Sequence, residues 1–277
     1  MSIDNFKQKK GHSKITMVTC YDYSFATILN ESNIDMILVG DSMANVLLGY
    51  KDTKEISFSE MLNHTRAVRE GAPDKFIVAD MPYKSYQKKP KDAVDYAERL
   101  IGEGGADAVK IEWFDEAANV TEQLIRNNIA VMGHIGLTPQ TADQLGGFRV
   151  QGKKVERALE LIEQALTFQE KGAFSVVSEC IPRQLSEIIT KKLSIPNIGI
   201  GAGLECDGQV LVIYDLLGLY PGHAPKFVKQ YLDLRQQITH ALELFNKEVK
   251  EDKFPAPQES FDIDAHQLDR IKKLADK

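Results

Sequence analysis

The sequence predicts a (β/α)8 TIM barrel of the α/β class, on three observations. Eight short, largely apolar runs alternate with helix-like segments along 277 residues, and no linker interrupts them. Apolar runs of this length suit strands buried on both faces, as parallel strands are. Six of the runs end on a polar or ionisable residue, and the C-terminal ends of barrel strands converge on one face. The length fits one barrel and is short for two ordinary α/β domains.

The first strand is expected near 15–21, where an apolar run passes through Cys20-Tyr21 to Asp22. The second, 36–41, carries Ile37-Leu38-Val39 through Gly40 into Asp41-Ser42. Ser57-Phe58-Ser59-Glu60 has the form of a capping box and opens a helix over 57–70. The third strand, 76–80, ends at Asp80. A helix over 90–103 puts Ala93, Tyr96, Ala97 and Leu100 on one face, with Lys88, Lys89 and Lys91 as its solvated start. Gly104-Gly105 then turns the chain into a strand at 107–112 that holds Lys110 and Glu112.

A helix at 116–127 precedes the strand 129–134, which ends at His134. The irregular stretch 134–153, with Pro139 and several glycines, is of the kind that covers a barrel mouth. A helix at 155–171 leads to the strand 175–179, ending at Glu179. A helix at 183–193, strands at 197–200 and 209–214 and a long helix at 225–250 complete the barrel. The chain is taken as one domain over 1–277, with a charged tail from about 251 that ends in an amphipathic helix near 264–275.

A formal net charge of −6 argues against a broad nucleic-acid footprint. Cys20, Cys180 and Cys206 show no paired metal spacing, which predicts reduced thiols and a cytoplasmic protein. Residues 1–14 do not read as a secretion signal, and no run approaches the roughly 18 apolar residues of a membrane span.

Asp41 and Asp80, with Glu112 behind them, offer hard oxygen donors to a divalent cation. Mg2+ suits them, because it takes about six oxygens at roughly 2.0–2.1 Å and usually only one or two protein carboxylates. The competing reading makes each aspartate the cap of the next helix. Lys110 and Glu112 share one face of a strand. A lysine buried there needs an anion, from a carboxylate ligand or an anionic substrate; the competing reading is a structural salt bridge inside the barrel. Glu179 is either a general base for proton abstraction beside a carbonyl or a helix-capping acid. His134 is either a ligand for a substrate oxygen or a structural hydrogen-bonder. Gly199-Ile200-Gly201-Ala202-Gly203 allows a close backbone approach to the pocket or a phosphate cradle; its spacing is wrong for a dinucleotide fingerprint.

Several ordered segments resemble the ketopantoate hydroxymethyltransferase family over roughly residues 12–261. They include Thr19-Cys20-Tyr21-Asp22-Tyr23, Val39-Gly40-Asp41-Ser42, Ala79-Asp80-Met81-Pro82 and Val109-Lys110-Ile111-Glu112. They continue with Gly133-His134-Ile135-Gly136-Leu137-Thr138-Pro139-Gln140, Gly147-Phe148-Arg149-Val150-Gln151-Gly152, Glu179-Cys180-Ile181-Pro182 and Cys206-Asp207-Gly208-Gln209-Val210. The resemblance implies a (β/α)8 barrel that transfers a one-carbon unit from 5,10-methylenetetrahydrofolate to 3-methyl-2-oxobutanoate in pantothenate synthesis. It implies Mg2+ on Asp41 and Asp80, with Glu112 completing the metal site. Asp41, Ser42, Asp80 and Lys110 would contact the keto acid, Glu179 would accept its proton, and His134 would hold the active-site histidine position. It also implies a homo-oligomer, commonly a decamer. Trp113-Phe114 stands where the family usually carries two glycines, Met43-Ala44-Asn45 where Leu-Gly is more usual, and Tyr214 where histidine is common. The rival readings are a Mg2+-dependent lyase or aldolase acting on another 2-oxo acid, and a barrel that has lost catalysis.

Overall fold

Parallel strands make a closed ring: β1 (Ile15–Thr19), β2 (Met36–Val39), β3 (Phe76–Asp80), β4 (Ala108–Glu112), β5 (Val131–Gly136), β6 (Ser175–Glu179), β7 (Asn197–Ile200) and β8 (Gly208–Leu211). Each pairs with the next, and β8 closes on β1 through Met17 opposite Val210. The expected TIM barrel is therefore present. The computed structural model describes residues 2–275 apart from Lys88, Lys89 and His223. Two of the three lysines expected at a helix start thus lie outside the described residues.

Strand alternation sorts the side chains into two layers. Met17, Met36, Leu38, Phe76, Val78, Ala108, Met132, Val177, Ile198 and Val210 fill the barrel interior. Their neighbours Ile37, Val39, Ile77, Ala79, Val109, Ile111, Val131 and Val176 face the helices. Both layers are apolar, so the strands read as continuous apolar runs.

The outer layer includes α2 (Tyr23–Glu31), α4 (Phe58–Gly71), α6 (Ala93–Gly102), α7 (Ala117–Arg126), α8 (Val155–Glu170) and α9 (Arg183–Lys192). The capping box at α4 forms: Ser57 Oγ accepts from the Glu60 amide at 3.3 Å, and the Ser57 amide donates to Glu60 at 2.8 Å. Asp22, which ends the first apolar run, caps α2 through the Phe25 amide at 2.9 Å and does not line the pocket.

Three features depart from the sequence expectation. The long helix begins at Leu234 and not near 225: α11 spans Leu234–Lys250, with Asp233 as its cap. Residues before it are tied to the end of the barrel instead, Tyr231 N donating to Leu216 O at 2.8 Å. The strand expected at 209–214 stops at Leu211, because residues 213–216 form the short helix α10 (Ile213–Leu216). The third is α1 (Ile3–Lys9), which the polar N-terminus did not announce. Its Phe6 is fully buried and meets Phe76 edge to face at 5.1 Å, closing the end of the barrel where the strands begin. Lys9 pairs with Asp35, and Lys10 with Asp207 at 2.7 Å, holding the helix in place. Phe6→Ala is expected to lower stability by about 3–5 kcal/mol, the usual cost of an aromatic cavity in a core; urea unfolding measures it.

Candidate active site

The same alternation that fills the barrel interior carries ionisable groups to its mouth. Asp80 follows Val78 in step, Lys110 and Glu112 follow Ala108, His134 follows Met132, and Glu179 follows Val177. Strand register then sets Asp80 beside Lys110, Glu112 beside His134, and Gly136 beside Glu179. Lys110 Nζ lies 2.8 Å from Asp80 Oδ1 and 3.3 Å from His134 Nδ1. His134 Nε2 stands 3.2 Å from Glu179 Oε2, and Nδ1 stands 3.5 Å from Glu112 Oε1. The ring thus turns Nε2 toward Glu179 and Nδ1 toward both Lys110 and Glu112.

Asp41 reaches the cluster from the turn after β2. Its amide donates to Asp80 Oδ2 at 2.9 Å, and its own Oδ2 accepts from Gln140 Nε2 at 2.8 Å. Neither aspartate caps a helix. Ser42 opens the short helix α3 (Met43–Val46) without a side-chain cap, and its hydroxyl meets Tyr21 Oη at 2.9 Å. Pro182 takes the cap position of α9, which leaves Glu179 to the pocket. The chain turns over the Glu179 carbonyl at Gly136, where φ is 96° and a Cβ would lie 2.2 Å from that oxygen.

All seven residues expected at the site, Asp41, Ser42, Asp80, Lys110, Glu112, His134 and Glu179, line one cavity of about 500 Å³. Glu179 keeps 15% side-chain exposure there, while Lys110, Glu112 and His134 are buried. Burial, followed by the charges of Asp80 and Glu112, pushes Asp41 up to about 8. Burial likewise raises Glu112. For Lys110, burial works against the charge, but Asp80, Asp41 and Glu112 together hold its proton more tightly than in water. Burial and Lys110 oppose a charged His134, yet Glu112 and Glu179 outweigh them and raise it to about 9.

This donor set fits a hard divalent cation. Asp80 Oδ1 meets only the Lys110 ammonium, Glu112 Oε1 is buried with no partner nearer than His134 Nδ1 at 3.5 Å, and Asp41 is crowded by like charge. Among the described residues no group of three or more His, Cys, Asp or Glu side chains is placed to hold a metal ion by itself. An ion here would therefore take the rest of its shell from substrate and water, as Mg2+ usually does.

Two residues at the site were not singled out by sequence reasoning, Tyr86 and Gln140. Tyr86 ends the short helix α5 (Tyr83–Tyr86), and Gln140 lies just beyond β5; both are buried. Gln140 falls in a quoted motif, but nothing in its spacing ties it to Asp41, 99 residues away in the chain. Trp113 and Phe114 pack behind the site. The Trp113 amide continues the ladder to His134 O at 2.9 Å, its ring meets Phe168, and Phe114 meets Tyr86 edge to face at 5.3 Å. In the glycine-rich segment the backbone packs on Phe227, a Cβ on Gly201 lying 2.7 Å from that ring.

The family model described as ketopantoate hydroxymethyltransferase matches residues 1–257. A 3-methyl-2-oxobutanoate hydroxymethyltransferase of Clostridium novyi (strain NT) is 48% identical over 265 residues, 96% of each chain. One of Enterococcus faecalis (strain ATCC 700802 / V583) is 48% identical over 267 residues, covering 96% of this chain and 97% of that one. Among solved structures, phosphoenolpyruvate phosphomutase from Streptomyces platensis subsp. rosaceus superposes with a TM-score of 0.60 at 12% identity, covering 100% of this chain and 96% of the other, a likeness of fold alone. The chain belongs to the ketopantoate hydroxymethyltransferase family and is a hydroxymethyltransferase.

Proposed function

We propose that this enzyme transfers a hydroxymethyl group from 5,10-methylenetetrahydrofolate to 3-methyl-2-oxobutanoate, giving 2-dehydropantoate for pantothenate synthesis. The observation that carries the reading is the convergence of Asp41, Asp80 and Lys110 with Glu179 on one cavity. Asp41 and Asp80, with Glu112 behind, hold Mg2+; when bound, the ion supplies Lewis-acid polarisation of the keto oxygen. Lys110 offsets the negative charge of the keto acid and of the enolate derived from it, and its buried setting strengthens that effect. Ser42 offers its hydroxyl to the substrate oxygens, while His134 acts through Lys110 and Glu179, the groups its ring nitrogens face.

Glu179 takes the proton from C3, and the enolate carbon attacks the methylene carbon of the folate. The methylene carbon leaves N10 as it is attacked, water then displaces N5 and becomes the hydroxyl, and tetrahydrofolate departs with the proton taken from C3 and one from that water. His134 Nε2–H steadies the Glu179 carboxylate that must receive the proton. Phe148, Tyr220 and Phe227 line the same cavity, and such aromatic surfaces suit the flat ring of the folate. The three cysteines are free, in keeping with a reducing cytoplasm. No helix among the described residues is long and apolar enough to cross a membrane.

The test is a pair of incubations in D2O with Mg2+ and 3-methyl-2-oxobutanoate. Without folate, NMR is expected to show deuterium entering C3; with 5,10-methylenetetrahydrofolate, mass spectrometry is expected to find 2-dehydropantoate. Exchange without product under saturating folate would replace this reading with a lyase-type one.

The assembly belongs to the same reading. The exposed residues Ile238, Leu242, Phe245 and Val249 stand at helical spacing along one face of α11, a helix with no buried residue. A second copy of the chain covers that face, within a homo-oligomer for which the family resemblance implies a decamer. Light scattering is expected to give a mass several times 31.0 kDa, and Leu242→Glu to shift it downward. A monomer at working concentrations would refute the assembly.

A further inference from the structure

We propose that Gln140, braced by Tyr86, is a positioning residue that fixes which Asp41 oxygen is offered to the metal. The inference rests on the Mg2+ reading above and adds the device that presets its ligands.

The Gln140 amide uses all of its hydrogen-bonding directions. Nε2 donates to Asp41 Oδ2 at 2.8 Å and to Met81 O at 3.1 Å. Oε1 accepts from Tyr86 Oη at 2.6 Å and from Gln87 Nε2 at 3.0 Å. The Met81 carbonyl can only accept, so Nε2 must face it and, with it, Asp41, and the amide cannot be turned round. The Gln140 backbone amide donates to Glu112 Oε2 at 3.1 Å. One residue therefore holds an oxygen of each of two carboxylates.

Tyr86 sets the direction of the chain of bonds. Its hydroxyl accepts from the Glu112 amide at 3.0 Å and donates onward to Gln140. Donation thus runs from Glu112 N–H through Tyr86 and Gln140 to Asp41, joining the end of β4 to the turn after β2. Aligned bonds in a buried site reinforce one another, and Tyr86 and Gln140 are both buried. Asp80 Oδ2 is held in the same way by the Asp41 amide, while Asp80 Oδ1 meets the Lys110 ammonium at 2.8 Å and Glu112 Oε1 has no hydrogen-bond partner. The network thus satisfies one oxygen of each carboxylate and leaves the other to the ion and to Lys110. Polar partners behind a metal ligand orient it, and their loss typically costs about 10–100-fold in metal affinity.

The test uses the full-length enzyme with Gln140→Met, which keeps length and loses the amide, and Tyr86→Phe, which keeps the ring contact with Phe114. Calorimetric Mg2+ titration at saturating 3-methyl-2-oxobutanoate is expected to show weaker binding by about 10–100-fold for Gln140→Met, with Tyr86→Phe in between. C3 exchange should fall at limiting Mg2+ and recover toward the wild-type rate as Mg2+ is raised, a rescue that general structural damage would not allow. Unchanged Mg2+ affinity in folded Gln140→Met would overturn the proposal, as would a loss of exchange that saturating Mg2+ leaves untouched. If Gln140→Met does not fold, wild-type affinity in Tyr86→Phe overturns it equally. Absence of Mg2+ binding by the wild type would remove the metal reading itself and this inference with it.

Discussion

Asp80→Asn and Asp41→Ala are each expected to abolish measurable hydroxymethyl transfer and to weaken Mg2+ binding. A cation polarising a carbonyl is worth several kcal/mol in the transition state, which at about 1.4 kcal/mol per decade corresponds to ~10³-fold or more. The choice of variant at position 80 follows from the ion pair. Asp80→Ala would leave Lys110 buried without its 2.8 Å partner, and removing one member of a buried pair commonly costs about 3–5 kcal/mol of stability. Asparagine keeps an oxygen near the ammonium and removes the charge that the ion needs. Asp41 has no such partner to strand, so alanine serves there; its loss leaves Gln140 Nε2 with Met81 O. Calorimetry on the folded variants, with keto acid present, measures the effect. Wild-type Mg2+ affinity in both would remove the two aspartates as ligands.

Glu179→Gln is expected to lower C3 deuterium exchange and hydroxymethyl transfer together, by roughly 10²–10⁴-fold, the usual weight of a general base. Glutamine fills the same space on β6, but its amide cannot take the C3 proton. The variant should still bind Mg2+ and keto acid, because Asp41, Asp80 and Lys110 come from the ends of β2, β3 and β4. Lys110→Ala separates charge from proton transfer: it should weaken keto-acid binding as well as the rate. NMR exchange at saturating keto acid distinguishes the two. Wild-type exchange in Glu179→Gln would assign the base to another residue.

The strands carrying Asp80, Lys110, Glu112, His134 and Glu179 could be read from the sequence, because strands buried on both faces need continuous apolar runs and a polar ending then stands out. Alternation also put Lys110 and Glu112 on one face. Alternation did not name a partner for Lys110, which pairs across β3–β4 with Asp80. Helix ends with side-chain signals were equally legible, as at Ser57 and Glu60. Elements without such signals were not. α1 has one apolar residue that is buried, Phe6, and its role depends on an open barrel end that no local pattern describes.

The sequence by itself determined the barrel, the order of its strands and the ionisable residues at their ends, since these follow from local periodicity and burial. Tertiary structure alone decided which of those residues touch. Register between neighbouring strands pairs Asp80 with Lys110 and Glu112 with His134 and sets His134 near Glu179, and barrel closure brings Gln140 to Asp41. Register is a property of two strands and closure of eight, so neither is written in any one segment. The hydrogen bonds that orient the carboxylates depend on both.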